Sequence, residues 1–405
     1  MGFRNFGMQE SGSVAVIFAV ALVPVLGFSG AAVDYVRATQ SRGKVQAAVD
    51  GAALAAVLAQ VPTVAQRQGT AQDVFSSMNS AEITATPTFN ITSTRATVTA
   101  SGWVETSLLK VLQIPRIEVA SRATAEKVFE GPPPCVLALN RTVDKALVVT
   151  GSAQYIAHGC VLHSNSASAQ SLVIDNNATV QAGGYCAAGK ATVPSTVTPP
   201  ARSYCEPLAD PFRNLRAPAV ESCPPPSLLS AALEILPNQT VTLKPGTYCG
   251  GLTLKGTVSL DPGIYVITGT LNVTSQAVVK GNGVMFYLTG SGAGFTFQAG
   301  ATIDLSAQAS GEYGGILFFQ DRLANAGFTN TFAGNSATKI MGSIYTPTQK
   351  VRVAGSSGVS QDVPFLPIIA DQVEITGSIK AKSTTAAATL PVPLPKSESG
   401  ARLIE

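Results

Sequence analysis

Leu243–Gly290 reads LKPGTYCGGLTLKGTVSLDPGIYVITGTLNVTSQAVVKGNGVMFYLTG. Pro245-Gly246-Thr247-Tyr248 returns as Pro262-Gly263-Ile264-Tyr265, and Gly283-Val284-Met285-Phe286 repeats the pattern again. Between these marks lie runs of three to five residues in which apolar and polar side chains alternate, such as Leu252/Leu254 and Leu271/Val273. Thr296 and Ile303 mark further short strands. Short strands at a drifting spacing near 20 predict a right-handed parallel β-helix-like solenoid, with Gly, Asn and Pro-Gly at its corners. In such a fold each coil pairs with the next and the coil interior is apolar. The competing all-β fold is a β-sandwich. Its antiparallel hairpins need two-residue Asn-Gly or Asp-Gly turns, and this region offers only Asn282-Gly283.

The same texture begins at Cys135, where ALVVTGSAQYIAHGCVLHSNSASAQSLVIDNNATVQAGG (residues 146–184) is a less regular part of the solenoid. Residues 190–237 are rich in Pro and read as an insert stapled by disulfides. Gly131-Pro132-Pro133-Pro134 marks a boundary. Ahead of it, alternation around Ala96, Val98 and Ala100, helical spacing at Leu108, Leu109 and Leu112, and alternation at Ile117, Val119 and Ser121 predict a small strand–helix–strand module. The expected layout is thus an anchor and helical stalk over 1–60, a linker and small α/β module over 61–130, and a solenoid over 131–390. A tail follows over 391–405, read either as disordered or as ending in a last strand at Ala401 to Ile404.

Charged residues make up 13% of the 405, about half the usual ~25%. The net charge is +3 with no basic run, which gives no support to nucleic-acid binding. The six cysteines, Cys135, Cys160, Cys186, Cys205, Cys223 and Cys249, are widely spaced without a C-x-x-C pair. They read as disulfides formed in an oxidising compartment. Six cysteines allow fifteen pairings; the working expectation is pairing in sequence order.

Ser11 to Val33 contains no charged residue and lies between Glu10 and Asp34. As a helix it would be ~34 Å long, enough for the ~30 Å hydrocarbon core of a bilayer. A cleavable signal with Ser29-Gly30-Ala31 at the cut is the competing reading. Two features favour an anchor bounded by Ser11 and Val33. The apolar run exceeds the ~7–15 residues of a signal core. The helical pattern also continues past it, through Val45, Val49, Ala52, Ala53, Ala56 and Val57. Basic residues Arg37, Arg42 and Lys44 on the far side would by themselves place that side in the cytoplasm. The cysteines require the bulk of the chain outside it, and the expectation follows the cysteines.

Gly12-Ser13-Val14-Ala15, the apolar run broken by Pro24, Val33-Asp34-Tyr35 and Val45-Gln46-Ala47-Ala48-Val49-Asp50 before Ala52-Ala53-Leu54-Ala55-Ala56 resemble the N-terminal module of the TadE/TadG-like family of Flp (tight adherence) pilus assembly. The resemblance covers about an eighth of the chain. It implies a single-pass anchor in the bacterial inner membrane and most of the chain outside the cytoplasm. Its partners would be other pilus-assembly or envelope proteins. Larger members often carry a von Willebrand A-type domain with a D-x-S-x-S metal motif. Asp304-Leu305-Ser306-Ala307-Gln308 lacks the second Ser.

No catalytic residue, metal ligand or cofactor site is assigned. His158 and His163 flank Cys160 in an H-x-C-x-x-H arrangement without an evident fourth ligand. Solenoids that act on polysaccharide need clustered carboxylates. Of Asp261, Asp304, Glu312, Asp321, Asp362, Asp371 and Glu374, only Asp304 and Asp321 match a coil spacing. Tyr248, Tyr265, Phe286, Phe297 and Phe318 form either a sugar-binding stripe or a stack inside the coil. The expected function is structural, by protein–protein contact and not enzymatic. The alternative is a β-helix enzyme or carbohydrate-binding module acting on surface polysaccharide.

Overall fold

The computed structural model describes residues 11–79, 83–223, 232–359, 363–364, 367–377, 380–384, 390 and 392–404. The chain forms two compact units, Met1–Val128 with Gly400–Glu405, and Phe129–Ser399. The second is therefore inserted, in sequence, before the last strand of the first.

The first unit begins with α1 (Ser11–Leu58), one unbroken helix despite Pro24. Residues 61–84, expected to be a linker, instead hold α2 (Val64–Met78). Thr63 caps it, its Oγ1 accepting the Gln66 N–H at 3.2 Å. Arg67, Ala71 and Phe75, spaced four apart, give it a buried face. The expected strand–helix–strand unit is an antiparallel meander of β1 (Thr84–Ile91), β2 (Arg95–Glu105) and β3 (Arg116–Val128). Leu109–Leu112 form only a single 3-10 turn, because Gln113 turns into the left-handed region (φ 63°) and Pro115 follows. Of the two readings of the C-terminal segment, the last strand is the one found. Gly400–Leu403 pairs antiparallel with β3 as a fourth strand.

The second unit is a parallel β-solenoid of about ten turns, as the sequence predicts. All its strand pairings are parallel among the described residues, which excludes the sandwich. Its strands form three stacks. One contains Leu233–Ile235, Leu252–Leu254, Thr270–Val273 and Gly294–Phe297. The next contains Thr240–Leu243, Thr257–Leu260, Val278–Asn282 and Thr302–Ser306. The third contains Gly246–Cys249, Gly263–Thr268, Val284–Leu288 and Ile316–Gln320. Gly263 (φ 145°) illustrates the Pro-Gly corners: a Cβ there would lie 2.3 Å from Pro245 Cγ in the coil below. Gly246 and Gly263 are 17 residues apart in the motif, but the strands pair two residues further on, so that Gly246 lies opposite Tyr265.

The order of coils in space differs from their order in the chain. From residue 233 the coils rise to Ile368–Gly377. Ile368–Ala370 then pair with Val136–Ala138, Val373–Thr376 with Leu147–Thr150, and Lys380–Thr384 with Gln154–His158. The stack continues through Leu172–Ile174 and Thr179–Ala187 to Arg202–Ser203. One coil in the middle is thus assembled from both ends of the domain, with residues 372–377 and 380–384 on two sides and Pro134–Ala138 on the third.

The chain must then return from residue 203 at one end to residue 233 at the other. Over nine steps of ~4.8 Å that is ~43 Å. This return strap lies within the stretch 190–237 read as an insert, whose margins at Ala191–Thr192, Arg202–Ser203 and Leu233–Ile235 are coil strands. Leu208 and Phe212 are buried and Leu215 partly so, against Leu137, Tyr287, Phe319, Tyr345 and Ile369 on the outer side of the third stack. Asn165 and Leu208 exchange two hydrogen bonds of 2.8 Å. Disulfides hold both strap ends, Cys186–Cys205 at one and Cys223–Cys249 at the other, while Cys135–Cys160 ties two adjacent coils. The inner core centres on Phe318, whose ring lies 4.6 Å from Phe295 and 5.3 Å from Phe286.

Two predictions follow from this packing. Phe318→Ala should lower the stability of the solenoid by ~3–5 kcal/mol in urea unfolding followed by near-UV circular dichroism. Lys280→Ala, on the exposed side, should stay within ~0.5 kcal/mol. Replacing Cys223 and Cys249 together by Ser should cost ~2–4 kcal/mol. It should also speed tryptic cleavage after the exposed Arg213 and Arg216 of the strap; unchanged cleavage would mean that the disulfide does not secure it.

Candidate functional site

α1 has two halves of different character. Its second half presents Val45, Ala48, Val49, Ala52, Ala53, Ala56 and Val57, none more than 3% exposed. Small side chains on this seam let the helix lie close to Ala96, Val98, Ala100, Val119, Ala123 and Ala125 of the sheet and to Ala71 and Phe75 of α2. The first half carries apolar residues all round. The ten large ones between Val16 and Val33 are 41–79% exposed. By length and composition this helix could cross a membrane.

Asp34 sits where the two halves meet, buried at 2% exposure. Its carboxylate accepts the backbone N–H groups of Ser107, Leu108 and Leu109 at 3.0, 2.8 and 2.7 Å. Arg37 adds a hydrogen bond from Nη1 to Ser107 Oγ at 2.5 Å. Three N–H donors compensate a buried anion as a helix N-terminus would. The Leu109 N–H is the largest influence holding the Asp34 carboxyl below its ordinary range, with burial opposing it and the Ser107 and Leu108 N–H groups and Arg37 assisting. One turn earlier, Gly30 is buried against Leu108; a Cβ at Gly30 would lie 2.7 Å from Leu108 Cβ.

Residues 12–66 match the Flp pilus-assembly TadE/G-like family. The N-terminal module is TadE/G-like. The match takes in α1 from its apolar half to its Ala-rich seam, together with Asp34 and the start of α2. The loop that Asp34 holds lies outside it. No curated protein and no solved structure matches the chain.

The solenoid disperses the carboxylates that the sequence singled out. Asp304 lies in the second stack, level with Lys280 on one neighbouring strand and Lys339 on the other, 4.0 Å from Lys339 Nζ. Asp321 follows a strand of the third stack. It accepts the Thr289 hydroxyl at 2.7 Å and the Leu323 N–H at 3.0 Å, as a turn cap does. The two are not brought together on one face. Glu374 is paired with Arg352 and Lys350, and Asp371 accepts the Asn140 amide at 3.0 Å. Asp261 lies in a turn, where its carbonyl accepts the Tyr265 hydroxyl at 2.8 Å. Asp362 lies outside the described residues. Arg322, beside Asp321, donates to the Phe212 carbonyl and to Tyr345 Oη, and Tyr345 Oη donates to Asp210 at 2.8 Å. This group clamps the strap.

Cys160 is consumed in a disulfide, so the H-x-C-x-x-H arrangement has no thiolate to offer. Burial pushes the pKa of His163 down to about 3, with Arg141 acting in the same sense, and the ring is neutral at physiological pH. No cluster of metal-binding side chains occurs among the described residues. Tyr265, Phe286, Phe297 and Phe318 are buried inside the coil, and Tyr248 packs partly buried against them. They are core and not a stripe open to sugar.

Sequence reasoning identified Val33-Asp34-Tyr35 as part of the resemblance but missed what Asp34 does. The signal was a charge at the end of a 23-residue apolar run, which needs a partner. Asp34→Ala should loosen the 107–109 turn, seen as faster tryptic cleavage after Lys110. The folded carboxyl titrates below its unfolded value near 3.8. The anchoring it contributes is therefore complete above that value and lost as pH falls through the lower, folded one. Trp103 fluorescence should report an acid transition below pH ~3.8 that Asp34→Ala lacks.

Proposed function

We propose that this protein is a membrane-anchored structural component of Flp-type pilus assembly, acting by protein–protein contact and not by catalysis. The observation that carries this reading is α1 itself, a TadE/G-like helix whose exposed apolar half runs unbroken into the packed seam of a folded module. In this arrangement the helix resides in the bacterial inner membrane and the disulfide-bonded solenoid stands outside the cytoplasm. The three disulfides support an oxidising location. The separate partners of Asp304, Asp321, Asp371 and Glu374 support a non-enzymatic role. Partners would be other pilus-assembly or envelope proteins, meeting the solenoid sides or its open first and last coils.

Carbonate extraction and intact mass of the native protein test the reading. The expected result is retention in the membrane pellet with residues 11–33 present in the mass. Deleting residues 12–33 should release a folded, soluble protein and abolish pilus assembly in the native host. A soluble native protein lacking the segment would overturn the anchor. Full pilus assembly by the deletion variant would overturn the assembly role.

A further inference from the structure

The loop between β2 and β3 is unusual for a surface turn. Leu108, Val111, Leu112 and Ile114 are 50%, 83%, 57% and 46% exposed, four large apolar side chains within seven residues. Surface loops are normally polar, and a contiguous apolar patch marks an interaction site. Its neighbourhood identifies the medium it meets. Asp34 ties Ser107, Leu108 and Leu109 to α1 directly after the apolar run ends at Val33. Leu108 then reaches back along the helix to Gly30, one turn into the apolar half. The apolar loop is thus continuous with the exposed apolar surface of α1.

Its backbone is also suited to a medium without water, where unpaired N–H groups are costly. Ser107, Leu108 and Leu109 donate to Asp34. Val111 donates to the Leu108 carbonyl, Gln113 to Lys110 and Ile114 to Leu109, at 3.1–3.2 Å. Thr106 closes the neck of the loop, its N–H bonding Pro115 O at 3.0 Å and its Oγ1 bonding Ile114 O at 2.5 Å. Flanking the leucines is the set of groups found at a membrane–water boundary. Tyr35 is 67% exposed, Trp103 is 36% exposed, Arg116 lies 4.7 Å over the Trp103 ring, and Lys110 is exposed. Lys110 and Arg116 would meet anionic headgroups while the leucines enter the acyl region.

We infer that residues 107–114 form a second membrane-contacting element, with Leu108, Val111, Leu112 and Ile114 seated in the acyl region of the leaflet from which α1 emerges. The inference rests on the reading that α1 spans the membrane. The module would then be held at two points, the helix and the loop, with Asp34 joining them at headgroup depth.

The chain contains one tryptophan, Trp103, so a single reporter can be moved. Full-length protein would be reconstituted in phosphatidylcholine/phosphatidylglycerol vesicles, with or without dibrominated acyl chains. Trp103→Phe with Val111→Trp places the reporter at the loop tip; Val111 is 83% exposed, so the change disturbs no packing. Trp103→Phe with Ser93→Trp places it at the exposed β1–β2 turn, the opposite end of the sheet. The expected result is blue-shifted emission at position 111 that loses most of its intensity in brominated vesicles, with emission at position 93 unchanged. Three outcomes would overturn the inference. Red, unquenched emission at 111 from protein that resists carbonate leaves the anchor intact and places the loop in water. Blue, unquenched emission places the loop against protein, such as a second copy. Release of the protein by carbonate removes the anchor and the loop's role together.

Discussion

The solenoid depends on a coil that no continuous stretch of chain can make. Residues 372–377 and 380–384 supply two of its sides and Pro134–Ala138 the third, so backbone pairing has to close across the two ends of the domain. Side chains reinforce the seam: the Asn140 amide reaches Asp371 at 3.0 Å and the Thr150 hydroxyl reaches Thr376 at 3.1 Å. With the seam closed, the domain's entry and exit lie side by side. Gly131 and Ser397 are backbone-bonded at 3.0 Å, which lets the chain go back to complete the sheet of the first unit. It also leaves two open coil ends far apart, and the strap exists to connect them.

The strap shows how a low-charge chain can spend its few charges. Arg322 bridges the Phe212 carbonyl and the Tyr345 hydroxyl beneath two aromatic faces, and Asp210 accepts from Tyr345. In the last coil Arg202 bonds the Glu398 carboxylate at 2.5 Å. Most buried stabilisation is apolar, but these fixed polar contacts select where the irregular segments lie, since an unmade buried hydrogen bond is costly. In the first unit Asp34 has the same role, placing one loop against one turn of helix.

The solenoid was legible because its information is local. Short alternating strands and Pro-Gly corners are visible within windows of about 20 residues, and both survive in the structure. So did the apolar helix and its Ala-rich continuation. Coil order was not legible. Every strand has the same pattern, and nothing in residues 372–384 marks them as neighbours of 134–158. The Pro-rich stretch read as an insert because Leu208, Phe212 and Leu215 are too sparse to show a period. The leucines at 108–112 read as a helix because spacing alone does not reveal that Gln113 and Pro115 limit them to one turn. At the candidate site, Asp34 was visible as a motif residue, but its partners lie 73–75 positions away.

The mid-stack seam has a consequence for biogenesis. Asn140 and Asp371 are 231 residues apart, so the coils around 134–203 emerge from the ribosome long before the strands that will cover their open edge. Contacts of such long sequence separation form late and slowly. Until then a flat row of unpaired parallel-strand backbone is presented to any neighbouring chain, which is a hazard for misassembly. Cys135–Cys160 and Cys186–Cys205 both close within this early half, over 25 and 19 residues. They can hold its coils in order while the rest of the chain is made. Cys223–Cys249 joins the strap to the first coil of the later half over 26 residues. Each of the three disulfides closes within 19–26 residues of sequence, so none has to wait for a strand from the far end of the domain.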